Sequence, residues 1–113
     1  MIEFEFHQPD SLEVALELLA KYDADAALIA GGTDLLIDMK KGEANPGHLI
    51  SLWDVPDIGR GDTNAGLQIG ALTTITDLTI AASGQPSLQC FAEAAQLFGG
   101  LQVQNAATVG GNI

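Results

Sequence analysis

At 113 residues and 47% hydrophobic content, the chain can bury one modest core or two small lobes, and its composition excludes a disordered or fibrous protein. Fifteen acidic residues against four basic ones give a formal net charge of -11, which opposes contact with DNA, RNA or an anionic membrane surface. With Lys21, Lys40, Lys41 and Arg60 as the basic side chains, any phosphate held here depends chiefly on backbone amides and helix N-termini.

Residues 2–6 alternate Ile2, Glu3, Phe4, Glu5 and Phe6, the period-two pattern of a strand with one buried face. His7-Gln8-Pro9 turns the chain. Asp10 or Ser11 then caps an amphipathic helix over roughly 10–22, with Leu12, Ala15, Leu16 and Leu19 on one face and Glu13, Glu17 and Lys21 on the other. Ala26–Ala30 reads as a second strand, parallel to the first because a helix joins them, and Gly31-Gly32 closes it. Leu35–Lys41 predicts a short helix ended by Gly42, and His48–Leu52 predicts a third strand. The first lobe is therefore βαβαβ.

Between Pro56 and Gly66 the composition shifts to Gly, Asp, Asn and Arg. That shift marks a lobe boundary and divides the chain into residues 1–58 and 59–113. Leu67–Gly70 predicts a strand, Thr76–Ser83 a Thr-capped helix, and Pro86 starts a helix carrying Leu88, Phe91, Ala92 and Ala95 that Gly99-Gly100 stops. Leu101–Gly111 is too polar for a strand to be assigned. The single cysteine, Cys90, sits in a predicted helix and excludes an internal disulfide and a cysteine-built zinc or iron–sulfur site. No export signal or membrane-length apolar run is visible, so the expected setting is cytoplasmic and reducing.

Two glycine turns carry the chemistry. In Ala30-Gly31-Gly32-Thr33-Asp34-Leu35 the glycines let a ligand approach the backbone, Thr33 offers a hydroxyl, and the following helix aims its first N–H groups at an anion. Alone, the same residues read more readily as an ordinary turn with Thr33 or Asp34 as N-cap. Thr108-Val109-Gly110-Gly111-Asn112 repeats the pattern after an apolar stretch, with Asn112 adding an amide. Neither turn is a dinucleotide fingerprint or a phosphate loop ending in G-K-[ST]. His7 and His48 stand far apart without a ligand-spaced companion and receive no role, so no metal site and no catalytic residue is expected. Ser11 and Ser51 lack a visible base, and Thr73-Thr74-Ile75-Thr76-Asp77 reads as a helix start.

Taken in order, three stretches resemble the flavin-binding domain of the molybdenum hydroxylases, the family of xanthine dehydrogenase and carbon monoxide dehydrogenase medium subunits. They are Ile29–Leu35, then Leu67–Ala71 with Thr73–Leu78, and finally Gln102–Ile113. The resemblance implies an α+β architecture of two small α/β lobes of the FAD-binding, PCMH-like type, the first βαβαβ with parallel strands and the second truncated. It implies FAD between the lobes, its pyrophosphate on Ala30, Gly31, Gly32, Thr33, Asp34 and Leu35 and on Thr108, Val109, Gly110, Gly111 and Asn112, with Phe98 placed near the isoalloxazine ring or in the core. Molybdenum–pterin and 2Fe-2S centres are implied on partner subunits, with electrons passing to FAD and on to NAD or another acceptor. Gln104 stands where many members carry arginine.

Because the chain ends inside the Thr108–Ile113 motif, it reads as an N-terminal fragment that is catalytically inert alone. Two other readings remain open. One is a noncatalytic acidic module that binds a protein partner or self-associates through a sheet edge left by truncation. The other is a flavoprotein oxidase of similar fold without molybdenum.

Overall fold

The computed structural model describes residues 3–56, 58 and 68–113, arranged in two compact units, Met1–Asp57 and Ile58–Ile113. In the first unit the elements run β1 (Glu5–His7), α1 (Leu12–Tyr22), a 3-10 turn at Asp23–Asp25, β2 (Ala26–Ile29), α2 (Leu35–Lys41) and β3 (His48–Ser51). The βαβαβ order expected from the sequence is present. All three strands are parallel, and β3 lies between the other two in the order β1-β3-β2. In register, Glu5 pairs with His48 and Ile29 with Ser51.

The middle position of β3 follows from its composition. Leu49, Ile50 and Ser51 are buried, which suits a parallel strand covered on both faces better than a half-exposed edge. Ala15 of α1, Met39 of α2 and Val55 are also buried in this unit. Ser11 is the N-cap of α1, its hydroxyl accepting from Val14 N–H, which decides between the two cap candidates. The helix buries less than its apolar stripe offers: Ala15 is buried, whereas Leu12 and Leu16 are exposed. Three short strands present less surface than that stripe can cover.

β1 also departs from expectation. Ile2 lies outside the described residues, pairing begins at Glu5, and Phe6 is exposed instead of buried. An edge strand is covered by neighbours on fewer sides, so alternation alone does not say which face is covered.

The second unit contains α3 (Ile75–Ala82), a 3-10 turn at Pro86–Leu88, α4 (Gln89–Gln96), α5 (Leu101–Ala106) and α6 (Val109–Asn112). Thr74 opens α3 with a capping box: its hydroxyl accepts from Asp77 N–H at 3.0 Å, and the Asp77 carboxylate accepts from Thr74 N–H. The helix therefore starts at Ile75, one residue before the predicted Thr76. Leu67 and the turn-rich stretch at 59–66 lie outside the described residues. Gln68, Ile69 and Gly70 are not in a strand, which corrects the strand expected there; among the described residues no neighbour supplies a ladder for them. Leu101–Gly111, left unassigned by polarity, holds two short helices. No helix of the described residues is long and apolar enough to cross a membrane.

Candidate functional site

The first glycine turn is held at its base and open at its crown. Ile29 carbonyl accepts from Leu52 N–H at 3.1 Å, and Ala30 carbonyl accepts from the Trp53 indole N–H at 2.6 Å. These two bonds from the segment after β3 fix where the turn leaves the sheet. Gly32 then adopts φ +72°, a left-handed conformation that costs an L-residue with a side chain roughly 1–2 kcal/mol. Its carbonyl accepts from Leu36 N–H at 3.2 Å and begins α2. Asp34 occupies the N-cap position but makes no side-chain capping bond. As a result, the N–H groups of Gly31, Gly32, Thr33, Asp34 and Leu35 have no acceptor among the described residues.

Five neighbouring donors in a turn that is at most half-buried form a surface able to receive anionic oxygens. The Thr33 side chain is half-buried beside them, while the Asp34 carboxylate is exposed. Lys40 and Lys41 stand at the opposite end of α2, so what α2 itself offers an anion here is its backbone dipoles.

The second glycine turn is built differently. It follows a helix, α5, where the sequence assigned no element, and Gly110 and Gly111 lie inside α6. Thr108 is buried and caps this helix, its hydroxyl accepting from Gly111 N–H at 3.0 Å. Val109 N–H donates to Thr73 carbonyl at 2.8 Å, Gly110 N–H to Ala71 carbonyl at 2.9 Å, and Asn112 N–H to Thr108 carbonyl at 3.1 Å. Every backbone donor from Val109 to Asn112 is thus engaged within the unit. An isolated antiparallel bridge joins Thr74 to Thr108, and Ile75 N–H donates to Ala107 carbonyl at 3.0 Å.

Gly110 is required for this approach. A Cβ on it would sit 2.7 Å from the Ala71 carbonyl oxygen and 2.9 Å from Ala71 Cβ. The glycine pair works here by letting two backbone segments meet.

Beside this junction the Thr73 hydroxyl is buried without a hydrogen-bond partner. An orphaned buried hydroxyl costs about 1–3 kcal/mol, whereas an isosteric methyl costs nothing comparable. Thr73→Val is therefore expected to raise the denaturation midpoint of the second unit, by about 1 kcal/mol in urea unfolding; a lowered midpoint would show that the hydroxyl is satisfied.

Phe98 packs against the buried cluster of Ile75, Ala95 and Ala107. It also lines an apolar hollow of about 160 Å³ with Leu78, Phe91, Val109 and Asn112. Ile75 and Ala95 of that cluster line the hollow as well, so core packing and hollow share the same residues.

Sequence separation hid two further features. Trp53, which no motif singled out, braces the first glycine turn. His7 and His48, set aside as isolated, are brought together because β1 pairs with β3, and their rings share a hydrogen bond of 3.1 Å between His7 Nε2 and His48 Nδ1. The readable signal was the alternation Glu5-x-His7, which puts both side chains on one face of a strand.

Comparison with known proteins matches residues 2–113 to the family described as the FAD binding domain in molybdopterin dehydrogenase. The carbon monoxide dehydrogenase medium chain of Hydrogenophaga pseudoflava is 40% identical over 111 residues, covering 97% of this chain and 39% of its own length. The xanthine dehydrogenase FAD-binding subunit of Escherichia coli O157:H7 is 36% identical over 96% of this chain and 37% of its own. Among solved structures, the carbon monoxide dehydrogenase from Hydrogenophaga pseudoflava that lacks the Mo-pyranopterin moiety superposes with TM-score 0.83 and 40% identity, over 99% of this chain and 40% of that one. The chain spans about 39% of the length of the first of these relatives.

Proposed function

This chain belongs to the family of FAD binding domains in molybdopterin dehydrogenases, and from that membership we propose that it is the pyrophosphate-holding part of the flavin subunit of a molybdenum hydroxylase. The observation that carries the reading is the row of N–H groups from Gly31 to Leu35 that have no acceptor among the described residues, set on a turn whose shape depends on the left-handed Gly32. Two phosphates need several short donors and close backbone approach, and this turn supplies both. The residues fit the cofactor.

In this reading Ala30 and Leu35 bound the phosphate turn, Gly31 and Gly32 admit the phosphates, and Thr33 adds a hydroxyl. Asp34 contributes its backbone N–H while its carboxylate faces solvent. Thr108, Val109, Gly110 and Gly111 supply a shaped backbone surface, the N–H groups of the last three being already engaged, and the exposed Asn112 amide supplies a polar contact. Phe98 offers an apolar face beside its hollow. FAD, when bound, supplies the electron-carrying chemistry, accepting from iron–sulfur clusters and delivering to NAD or another acceptor. The chain's own residues bind and orient; none acts as an acid or base.

The working enzyme in this proposal is a cytoplasmic complex with molybdopterin-binding and iron–sulfur subunits. A medium chain named for carbon monoxide dehydrogenase and a subunit named for xanthine dehydrogenase match the same stretch. This stretch therefore carries what such enzymes share, the flavin, and not what distinguishes their substrates. The outer strands β1 and β2 each leave one edge unpaired among the described residues, which offers a partner strand or a second copy a place to add.

Titration of the purified chain with FAD, followed by flavin fluorescence, tests the reading. Saturable binding is the expected result. A chain shown folded by circular dichroism that leaves flavin fluorescence unchanged at saturating concentration would overturn it for this stretch.

A further inference from the structure

The first unit gathers a second set of chemical groups on β1 and β3, at the end of α1. Because Glu5 pairs with His48 across the sheet and His7 follows Glu5 by two residues, all three side chains share one face. Glu5 Oε2 stands 3.6 Å from His48 Nδ1 and 3.8 Å from His7 Nε2, and the two ring nitrogens are 3.1 Å apart. One ligand atom from each residue lies within 4.8 Å of the others.

We propose that Glu5, His7 and His48 form a binding site for one divalent transition-metal ion, zinc foremost. The argument begins with size. Zinc bonds of about 2.0–2.1 Å in tetrahedral geometry separate two ligand atoms by about 3.3 Å, and the three observed separations bracket that value. It continues with donor type. Two imidazoles and one carboxylate suit zinc, nickel or copper, whereas magnesium and calcium prefer oxygen ligands throughout. The hydrogen bond between the rings places one bare nitrogen opposite one N–H; when the ion takes the place of that shared proton, the ring that held it adopts its other tautomer with the proton on its far nitrogen, and both facing nitrogens become metal ligands.

Surrounding groups hold the rings in place. Tyr22 at the end of α1 stacks on His48 with ring centroids 3.5 Å apart and planes 12° from parallel, and it stacks on His7 at 5.3 Å. Lys21 Nζ lies over the Tyr22 ring, 5.1 Å from its centroid. The Asp25 carboxylate stands 3.8 Å from His48 Nε2, on the side of the ring away from the cluster, and is itself anchored by Gly47 N–H at 3.0 Å. A carboxylate on the far nitrogen is the usual device for orienting a ligating imidazole. The histidine side chains are 19% and 16% exposed and that of Glu5 is 71% exposed, so an ion has an open approach and a fourth position for water. Bound there, the ion ties the edge strand β1 to the central strand β3.

The test is calorimetric titration of the untagged, chelator-stripped chain with Zn2+ in the presence of excess Mg2+, with Co2+ visible absorption as a second readout. One Zn2+ per chain is expected, undisturbed by Mg2+, with four-coordinate Co2+ bands. His7→Gln and His48→Gln are each expected to weaken binding by at least about a hundredfold, the upper end of what losing an outer-shell partner costs. Glu5→Gln, at an exposed side chain, is expected to weaken it by roughly tenfold without disturbing the fold. Absence of saturable Zn2+ binding, displacement by Mg2+, or equal affinity in all three variants would each overturn the proposal.

Discussion

Gly110→Val is expected to unfold the second unit at a markedly lower denaturant concentration than the parent chain. Its Cβ would meet the Ala71 carbonyl oxygen at 2.7 Å, Ala71 Cβ at 2.9 Å and Ala71 Cα at 3.1 Å. Backbone cannot rotate aside as a side-chain tip can. Relief requires the two segments to part, which breaks the Gly110-to-Ala71 bond of 2.9 Å and strains the Val109-to-Thr73 bond of 2.8 Å. Two backbone hydrogen bonds at about 1 kcal/mol each and an overpacking cost of about 1–3 kcal/mol give a loss of about 3–5 kcal/mol.

Gly100→Val is the matched control, since a Cβ there meets nothing within 4 Å and its backbone is already extended, at φ -82° and ψ 173°. At the N-cap of α5 it is expected to cost no more than about 1 kcal/mol, well short of Gly110→Val. Urea unfolding of both variants decides the matter: equal midpoints would show that the close approach of residues 71 and 110 does not support the unit.

The second large effect is on the cofactor. Gly32→Val places a β-branched residue at φ +72°, with its Cβ 2.9 Å from Leu36 Cδ1 and 3.3 Å from Ile29 Cδ1. Those neighbours are side-chain ends and can move, so the main penalty is conformational. The turn is expected to relax out of the left-handed region, costing about 2 kcal/mol of stability and turning its free N–H groups away from a common point. Loss of two charge-assisted hydrogen bonds at about 1.5 kcal/mol each corresponds to roughly a hundredfold weaker FAD binding.

Gly42→Ala separates the two consequences. Gly42 has φ +78° and open space around it, but it ends α2 instead of beginning it. It is expected to lose stability of similar size while keeping FAD affinity. Fluorescence titration of the two variants gives the answer: equal affinity in Gly32→Val and the parent would remove the first glycine turn from the cofactor site.

Periodicity was a good guide where elements interact mainly with themselves and one neighbour. α1 begins at the Ser11 cap, α2 runs over Leu35–Lys41 and stops at Gly42, and β3 occupies His48–Ser51, because capping chemistry and short apolar runs are local properties. It failed where a partner from elsewhere in the chain decides the outcome. Gly110-Gly111 has poor helix propensity, yet it is helical because the Thr108 hydroxyl caps it and the Ala71 and Thr73 carbonyls receive its donors. Gln68–Gly70 has strand-like residues, but a strand exists only with a ladder to join.

The same division runs through the candidate sites. Sequence alone determined the positions of the two glycine pairs, the acidic net charge, and the flavin-domain resemblance that the family match upholds. These properties reside in residue type and short spacing. Tertiary structure decided that, among the described residues, the N–H groups from Val109 to Asn112 are engaged while those from Gly31 to Leu35 are not, that Trp53 braces the first turn, and that His7 and His48, separated by 41 positions, share a hydrogen bond. Whether a donor is spent, and which side chains meet, depends on strand register and backbone approach, and both are set by contacts between residues far apart in the chain.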